Sequence, residues 1–263
     1  MSGLEEKLAA LNRLLSSLPG LSVALSGGLD SVVLLVLAAR ILGKARTEAL
    51  TILSPIMEEG ELAEARLICL KEGVRHRFVP FDHLTFETFR KNPLDRCYHC
   101  KRAMFERLLG EASFPLADGT QKDDLREERP GLKALEELKI LSPLREAGFI
   151  KDELRALARR LGLRQCLKEP SPCLATRLLP GEEITEEKLS LVRKAEAYLR
   201  AQGFERVRVR FSRMRALVEV SPSQTKALWG FGREIVAYLK GLGFKKVYFD
   251  PLGYEPPLRD LDL

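Results

Sequence analysis

Short apolar runs alternate with longer amphipathic stretches through the first two thirds of the chain. The apolar runs predict strands at 21–25, 49–53, 78–81 and 114–117. The stretches around them predict an N-terminal helix with leucines at helical spacing, a buried apolar helix at 32–39, and further helices at 61–71, 101–109 and 151–161. Strands that alternate with helices form a parallel sheet with helices on both faces, so this pattern predicts an α/β fold.

The last third of the chain has a different pattern. Residues 167–183 are irregular and rich in proline, and we place a domain boundary at their end. After this boundary we predict a helix from about 185 to 202, strands at 206–211 and 216–220, a helix at 228–242 and a strand at 246–249. The sequence therefore predicts two domains, a parallel-sheet α/β domain over 1–183 and a smaller α+β domain over 184–263.

The loop after the first strand carries the strongest chemical signal. It has the sequence Ser26-Gly27-Gly28-Leu29-Asp30-Ser31 and leads into the first long apolar helix. Its two glycines allow the backbone to approach an anion, the helix N-terminus presents N–H groups, and the serines add hydroxyl donors. The loop lacks the lysine of a Walker A motif and resembles the pyrophosphate loop (PP-loop) of enzymes that cleave ATP to AMP and pyrophosphate. Asp30 is compatible with phosphates when a divalent cation such as Mg²⁺ lies between them.

Other polar residues follow the predicted strands. Ser54 comes after the second strand, and Asp118, Gly119 and Thr120 come after the fourth. Ligands of open α/β sheets bind beyond the carboxyl ends of the strands. We therefore expect these residues and the PP-loop to converge on one ATP-binding site.

Composition narrows the class of protein. The chain has 263 residues, of which 45% are hydrophobic, which suffices for a substantial core. Its apolar runs are too short to cross a bilayer, and its N-terminus reads as an amphipathic helix rather than a signal peptide, so we expect a cytoplasmic protein with no membrane partner. A net charge of +6 suits an anionic substrate and does not by itself indicate binding to nucleic acid.

Five cysteines without a secretory signal argue against a disulfide framework. Cys97 and Cys100 form a C-x-x-C pair, and Cys173 lies far along the chain. The pair could be a redox couple or half of a zinc site, or only Cys173 could matter. Alternatively, Cys97, Cys100 and Cys173 could hold three irons of a 4Fe-4S cluster and leave the fourth iron open. We interpret Cys69 and Cys166 as buried thiols.

Several further motifs follow the PP-loop in a fixed order. They are Arg96-Cys97-Tyr98-His99-Cys100-Lys101, Asp118-Gly119-Thr120, Ser142-Pro143-Leu144-Arg145-Glu146-Ala147-Gly148 and Cys173-Leu174-Ala175-Thr176-Arg177. The series resembles the LarE-type ATP-dependent sulfur transferases of the PP-loop superfamily, which make the nickel-pincer nucleotide cofactor of lactate racemase. These enzymes have an adenine nucleotide alpha hydrolase-like fold, and the resemblance covers roughly residues 1–220.

The resemblance implies a reaction. ATP adenylates a carboxylate of pyridinium-3,5-biscarboxylic acid mononucleotide, sulfur displaces AMP to give a thiocarboxylate, and the cycle repeats on the second carboxylate. Some members sacrifice the sulfur of a single cysteine, at the position of Cys173 here, whereas members with three cysteines carry sulfur on a 4Fe-4S cluster. This chain has all three, so the resemblance favours the cluster, an external sulfur donor and a homo-oligomeric enzyme.

Cationic residues provide the candidate substrate contacts. Arg206, Arg208 and Arg210 fall on one face of a predicted strand with no glutamate among them. A solvated face is the usual explanation of such alternation. The resemblance implies instead that Arg208 and Arg210 bind the substrate phosphate and that Glu219 lies near the substrate or metal.

Two more cations have a structural and a functional interpretation. Lys101, beside Cys100, is either a surface lysine or a group that holds phosphate or developing charge. Arg177 follows Cys173 closely, and we favour a role in lowering the thiol pKa or in binding an anionic substrate.

Departures from the family pattern concern the substrate pocket more than the ATP site. The family often has His-Gly after the second arginine, and Phe211-Ser212 stand here. The main alternative is a PP-loop tRNA thiolase, which also binds a cluster with three cysteines, although the chain shows no aromatic and basic platform for bases. A non-catalytic nucleotide sensor and an ammonia-using ligase are further alternatives, and neither requires the three cysteines.

Overall fold

The computed structural model describes residues 3–54, 56, 59–126, 130–163 and 173–254. The helices are α1 (Gly3–Ser16), α2 (Leu29–Leu42), α3 (Glu59–Glu72), α4 (Glu87–Arg90), α5 (Arg96–Leu109), α6 (Pro130–Glu137), α7 (Pro143–Glu146), α8 (Lys151–Arg160), α9 (Glu186–Ala201), α10 (Thr225–Gly230) and α11 (Gly232–Leu242). The strands are β1 (Leu21–Ala24), β2 (Thr47–Leu53), β3 (Arg75–Pro80), β4 (Leu116–Ala117), β5 (Arg208–Ser212), β6 (Arg215–Glu219) and β7 (Lys246–Phe249).

The chain divides into two compact units. The first comprises Met1–His83 and Asp95–Ser171, and the second comprises Leu84–Leu94 and Pro172–Leu263. The second unit thus includes a short stretch that interrupts the first in sequence. The domain bounds expected from the sequence, 1–183 and 184–263, stay a prediction.

The first unit is an α/β structure, as predicted. Its four strands are parallel in the order β3-β2-β1-β4, with Leu21 opposite Thr47 and Ser22 opposite Leu116. Helix α2 is buried along most of its length and packs with α1 and α8 in the main core. Because α2 is apolar on nearly every side, burial fixes it against the sheet and holds its N-terminus at the carboxyl end of β1.

Edge position explains the largest shift of a strand boundary. β3 begins at Arg75, three residues before the predicted start. Its first residues, Arg75, His76 and Arg77, are polar and so fall outside the apolar run on which the prediction was based. β3 lies at the end of the strand order, where it pairs with β2, so its polar side chains have access to solvent. An apolar run therefore marked only the last part of this strand.

The second unit is a small α+β structure. Antiparallel β5 and β6 are followed by β7, which pairs parallel to β6, and α9 packs on β5. Val209, Phe211 and Val218 are buried on one face of this sheet. The helix predicted at 228–242 is two helices, α10 and α11, which meet at Phe231.

Across the residues that the structure describes, each helix is too short or too polar to cross a membrane.

Candidate active site

The PP-loop is closed by hydrogen bonds between its own residues. Gly27 has a φ of 82°, in the left-handed region that favours glycine. The backbone N–H of Gly28 donates to Ser26 Oγ at 3.2 Å, and the backbone N–H of Ser26 donates to Ser31 Oγ at 3.2 Å. Ser31 Oγ donates in turn to the Gly28 carbonyl at 3.1 Å. These bonds fix the loop at the N-terminus of α2, where the first-turn N–H groups lack partners within the helix and can receive an anion.

The Asp30 carboxylate forms an ion pair with Lys151. The Lys151 Nζ lies 2.7 and 2.9 Å from the two carboxylate oxygens of Asp30. Burial raises the pKa of Asp30 above its ordinary value, and the hydrogen bond and charge of Lys151 oppose this rise. Sequence reasoning missed Lys151, because the two residues are 121 positions apart.

The turn after β4 packs directly on the first turn of α2. A Cβ atom added to Gly119 would lie 2.7 Å from the backbone nitrogen of Ser31 and 3.0 Å from the carbonyl carbon of Asp30. Real Cβ atoms essentially never approach backbone atoms so closely. Only glycine fits at position 119 without a shift of the backbone. The structure therefore brings the turn after β4 into contact with the end of the PP-loop.

Asp118 is held at the end of β4 by hydroxyl groups. Ser142 Oγ donates to Asp118 Oδ1 at 2.8 Å, and Thr120 Oγ1 donates to Asp118 Oδ2. Lys101 on α5 places its Nζ 3.7 Å from the same Oδ2. Lys101 thus belongs to the group of polar residues around this turn and is less than one third exposed.

Ser54, at the carboxyl end of β2, pairs with a residue that sequence reasoning missed. Ser54 Oγ and His83 Nδ1 are 2.6 Å apart, and both residues are buried. Burial lowers the pKa of His83 to about 4, so its ring is neutral at physiological pH. A single histidine with no surrounding motif carries no signal in the sequence.

Cys97 and Cys100 lie in the first turns of α5. They are three positions apart on one helix, which places them on the same face. Cys97 is exposed and Cys100 is half-buried, whereas Cys173, in the second unit, is exposed at the start of a short helical turn. Within the described ranges, three or more metal-binding side chains do not cluster. The 4Fe-4S cluster stays a prediction.

The two remaining cysteines were interpreted as buried thiols. This is confirmed for Cys69, which is 1% exposed and whose pKa is raised by burial to about 12. Cys166 lies outside the described residues.

Arg177 is a buried residue that braces the segment after Cys173. Its side chain donates to both carboxylate oxygens of Glu196, at 2.8 and 3.2 Å, and to the Cys173 carbonyl at 3.3 Å. Its Nη1 also lies 3.2 Å from Thr176 Oγ1. These contacts fix the backbone next to Cys173. A direct effect of Arg177 on the thiol or on an anionic substrate stays a prediction.

The arginine strand begins later than predicted. Arg206 has a φ of 49° and precedes β5, so the expectation that it shares a strand face with the other two arginines is wrong. Arg208 and Arg210 lie on β5, and Arg208 is opposite Glu219 on β6. Arg210 Nε donates to Glu219 Oε2 at 3.0 Å. An acid from the neighbouring strand therefore offsets the positive charge that the sequence of β5 alone suggested.

Glu219 has a buried oxygen with no hydrogen-bond partner. The residue is fully buried, and its Oε1 is one of two such side-chain atoms among the described residues. Burial raises the pKa of Glu219, and Arg210 opposes the rise. The guanidinium carbon (Cζ) of Arg208 lies over the ring of Tyr254, 5.1 Å from the ring centroid. A buried acceptor without a partner is uncommon in folded proteins, and this one belongs to a carboxylate that lies near Arg208 and Arg210.

Comparisons with known proteins identify the family of the chain. The chain is 33% identical over 259 residues to the pyridinium-3,5-bisthiocarboxylic acid mononucleotide synthase of Lactiplantibacillus plantarum, over 97% of this chain and 94% of the synthase. The chain belongs to this LarE-type family. An uncharacterised protein of Synechocystis is 36% identical over 259 residues, or 96% of each chain. No family model matches the chain.

A second group of relatives matches about two thirds of the chain. A glutamine-hydrolysing GMP synthase component of Thermoplasma acidophilum is 31% identical over 193 residues, which cover 66% of this chain and 61% of that relative. The parallel sheet that carries the PP-loop is the part of the LarE-type fold common to such enzymes.

Proposed function

We propose that the protein is an ATP-dependent sulfur transferase that converts carboxylates of pyridinium-3,5-biscarboxylic acid mononucleotide to thiocarboxylates in the synthesis of the nickel-pincer cofactor. The observation that carries the proposal is the closed PP-loop at the N-terminus of α2, in a chain similar along almost its whole length to a synthase named for this product. A loop that binds pyrophosphate suits the first half-reaction, in which pyrophosphate leaves.

The reaction activates a poor electrophile. A carboxylate oxygen of the substrate attacks the α-phosphorus of ATP, and the bond between that phosphorus and the bridging oxygen breaks to release pyrophosphate. The product is an acyl adenylate. A sulfur nucleophile adds to its carbonyl carbon, and AMP departs with the electron pair of the carbon–oxygen bond. The thiocarboxylate remains, and the AMP keeps the original carboxylate oxygen.

Residues of the first unit bind ATP and stabilise its phosphate charge in this proposal. The N–H groups of Gly27 and of the first turn of α2 bind the phosphates that leave as pyrophosphate. Lys101, near Asp118, stabilises negative charge that develops on phosphate during adenylation. Mg²⁺ arrives on ATP, held chiefly by phosphate oxygens and water, which is its usual manner of binding.

Residues of the second unit bind the mononucleotide in this proposal. Arg208 and Arg210 take its phosphate, since a guanidinium forms paired hydrogen bonds with phosphate oxygens. The orphaned Oε1 of Glu219 accepts a hydrogen bond from the substrate. Arg177 holds the backbone at Cys173 and so positions the thiol.

The donor set fits an iron–sulfur cluster in part. Cys97 and Cys100 are accessible and one helical turn apart, as two ligands on one helix require. Cys97, Cys100 and Cys173 would hold a 4Fe-4S cluster, which supplies a bound sulfur for transfer. We further propose an external sulfur donor, a homo-oligomer and a cytoplasmic location.

The test uses purified protein, ATP, sulfide and the biscarboxylic acid mononucleotide. We expect pyrophosphate and AMP in equal amounts, released only with the mononucleotide present, and a product in which sulfur replaces carboxylate oxygen in the mass spectrum. Release of pyrophosphate at the same rate with and without the mononucleotide would show that the mononucleotide is not the substrate.

A further inference from the structure

The candidate pyrophosphate site contains a negative charge that opposes its ligand. Asp30 is the second residue of α2, within the first turn whose N–H groups face the anion site. An acidic residue there favours the helix by interacting with its dipole. The same carboxylate repels the phosphates of ATP, and the repulsion is strong because the side chain is only 22% exposed.

Lys151 supplies the compensating charge. Its ammonium group contacts both oxygens of Asp30, at 2.9 and 2.7 Å, so the carboxylate faces a cation from the protein itself. Arg155, one helical turn further along α8, adds positive charge near Asp30, and Asp124 adds negative charge. Of these three groups, Lys151 is the one that contacts Asp30 directly.

The backbone of Lys151 is fixed by contacts unrelated to its charge. Its N–H donates to Asp123 Oδ2 at 2.9 Å, and the preceding N–H, of Ile150, donates to Glu153 Oε2 at 3.0 Å. Glu153 is bound in turn by Lys7 of α1. These contacts fix the start of α8, from which the Lys151 side chain extends to Asp30 of α2.

The place of Lys151 in its own helix is unfavourable. It is the first residue of α8, and a cation at a helix N-terminus interacts unfavourably with the helix dipole. Helix stability therefore does not explain a lysine at this position, whereas the ion pair with Asp30 does.

We propose that Lys151 is a positioning residue of the nucleotide site that neutralises Asp30 and thereby allows the PP-loop to bind the pyrophosphate group of ATP. The inference rests on the proposed use of ATP and adds a residue to the ATP site. In this proposal Lys151 does not contact ATP. It acts by neutralising the Asp30 carboxylate, so a variant without that negative charge no longer needs Lys151 to bind ATP.

The test measures equilibrium binding by calorimetry, with excess chelator and again with Mg²⁺. The proteins are the wild type, Lys151→Met, Lys151→Arg, the double variant Asp30→Asn with Lys151→Met, and the control Lys194→Met, which removes an exposed lysine of α9. The probes are ATP, inorganic pyrophosphate and AMP. Thermal unfolding of each variant verifies that it is folded at the temperature of the titration.

We expect Lys151→Met to weaken ATP and pyrophosphate binding by about tenfold and AMP binding by about threefold or less, because an unpaired, half-buried carboxylate opposes the extra phosphates. Lys151→Arg should bind ATP within about threefold of the wild type, and the double variant should do so in excess chelator, where no Mg²⁺ lies between residue 30 and the phosphates. Equal losses in Lys151→Met and the double variant in excess chelator would overturn the proposal, since Lys151 would then act independently of Asp30. Unchanged binding by Lys151→Met would overturn it too. A wild type that binds neither ATP nor pyrophosphate would refute the proposed function and this inference together.

Discussion

The Arg177 guanidinium and the Glu196 carboxylate form two hydrogen bonds, at 2.8 and 3.2 Å, and both side chains are inaccessible to solvent. Glu196 Oε1 also accepts from the backbone N–H of Val209 at 3.1 Å. The pair therefore joins the segment after Cys173, helix α9 and strand β5. A buried pair of this kind holds neighbouring elements in register because neither charge tolerates separation from the other.

Arg177→Met should destabilise the protein strongly. The change leaves the buried Glu196 carboxylate without its main partner, and we expect a loss of about 3 kcal/mol in the free energy of unfolding. Denaturant unfolding measures it. The control is Arg200→Met, since Arg200 contacts the same carboxylate from a side chain that is 43% exposed. The control should lose about 1 kcal/mol or less. Equal losses in the two variants would contradict this account of the pair.

Gly119→Ala should disturb the fold and the ATP site together. The new methyl group would meet the backbone of Ser31 and Asp30, and relief of this contact must move the turn away from α2. We expect a loss of stability of about 1–3 kcal/mol and weaker binding of ATP.

The matched control is Gly110→Ala. A Cβ atom at Gly110 would lie 3.6 Å from its nearest neighbour, the Arg107 carbonyl oxygen, which is ordinary contact. This variant should keep the stability and the ATP affinity of the wild type. If Gly119→Ala had the same stability and the same ATP affinity as Gly110→Ala, the close contact at Gly119 would have no consequence for fold or binding.

Much of the fold follows from local sequence, and most of the site does not. The bounds of β7 agree with the prediction, because Val247, Tyr248 and Phe249 favour a strand and Asp250-Pro251 ends it. The PP-loop was found because its residues are contiguous. Asp30 and Lys151 are 121 positions apart, and Ser54 and His83 are 29 apart. Such pairs depend on packing of distant elements, which no local pattern encodes.

The second unit shows the same limit in its charges. The spacing of Arg208 and Arg210 correctly placed both on one strand face, but the sequence of that strand suggested an unbalanced cationic surface. Glu219, on the adjacent strand, meets Arg210 only through the antiparallel register of β5 and β6. Strand pairing is a long-range property, so the balance of charge appears only in the structure.

Glu219→Gln should alter how stability depends on pH. Burial raises the pKa of Glu219 in the folded protein above its usual value of 4.5. Between the two pKa values the folded state binds more protons than the unfolded state, so this residue makes stability fall as pH rises through that window. Gln cannot ionise, so the variant should gain stability relative to the wild type as pH rises above about 4.5.

Unfolding free energies of the wild type and Glu219→Gln, measured from about pH 4.5 to 7.5, test this. We expect the difference between the two proteins to widen in favour of the variant as pH rises. Two curves that stay parallel across the range would show that Glu219 titrates alike in the folded and unfolded states.

Cys97→Ala should abolish an iron–sulfur cluster if Cys97, Cys100 and Cys173 are its ligands. The measurement is the content of iron and acid-labile sulfide in protein reconstituted without oxygen. The wild type should hold nearly one cluster per chain and the variant little or none, because thiolates bind the iron and alanine offers no ligand.

Cys69→Ala is the matched control. Its thiol is buried, with a pKa raised to about 12, so its removal should leave the cluster content unchanged. Absence of iron from the wild type would refute the cluster and leave Cys173 as a sulfur donor used once, detectable as the loss of hydrogen sulfide from the protein mass after reaction.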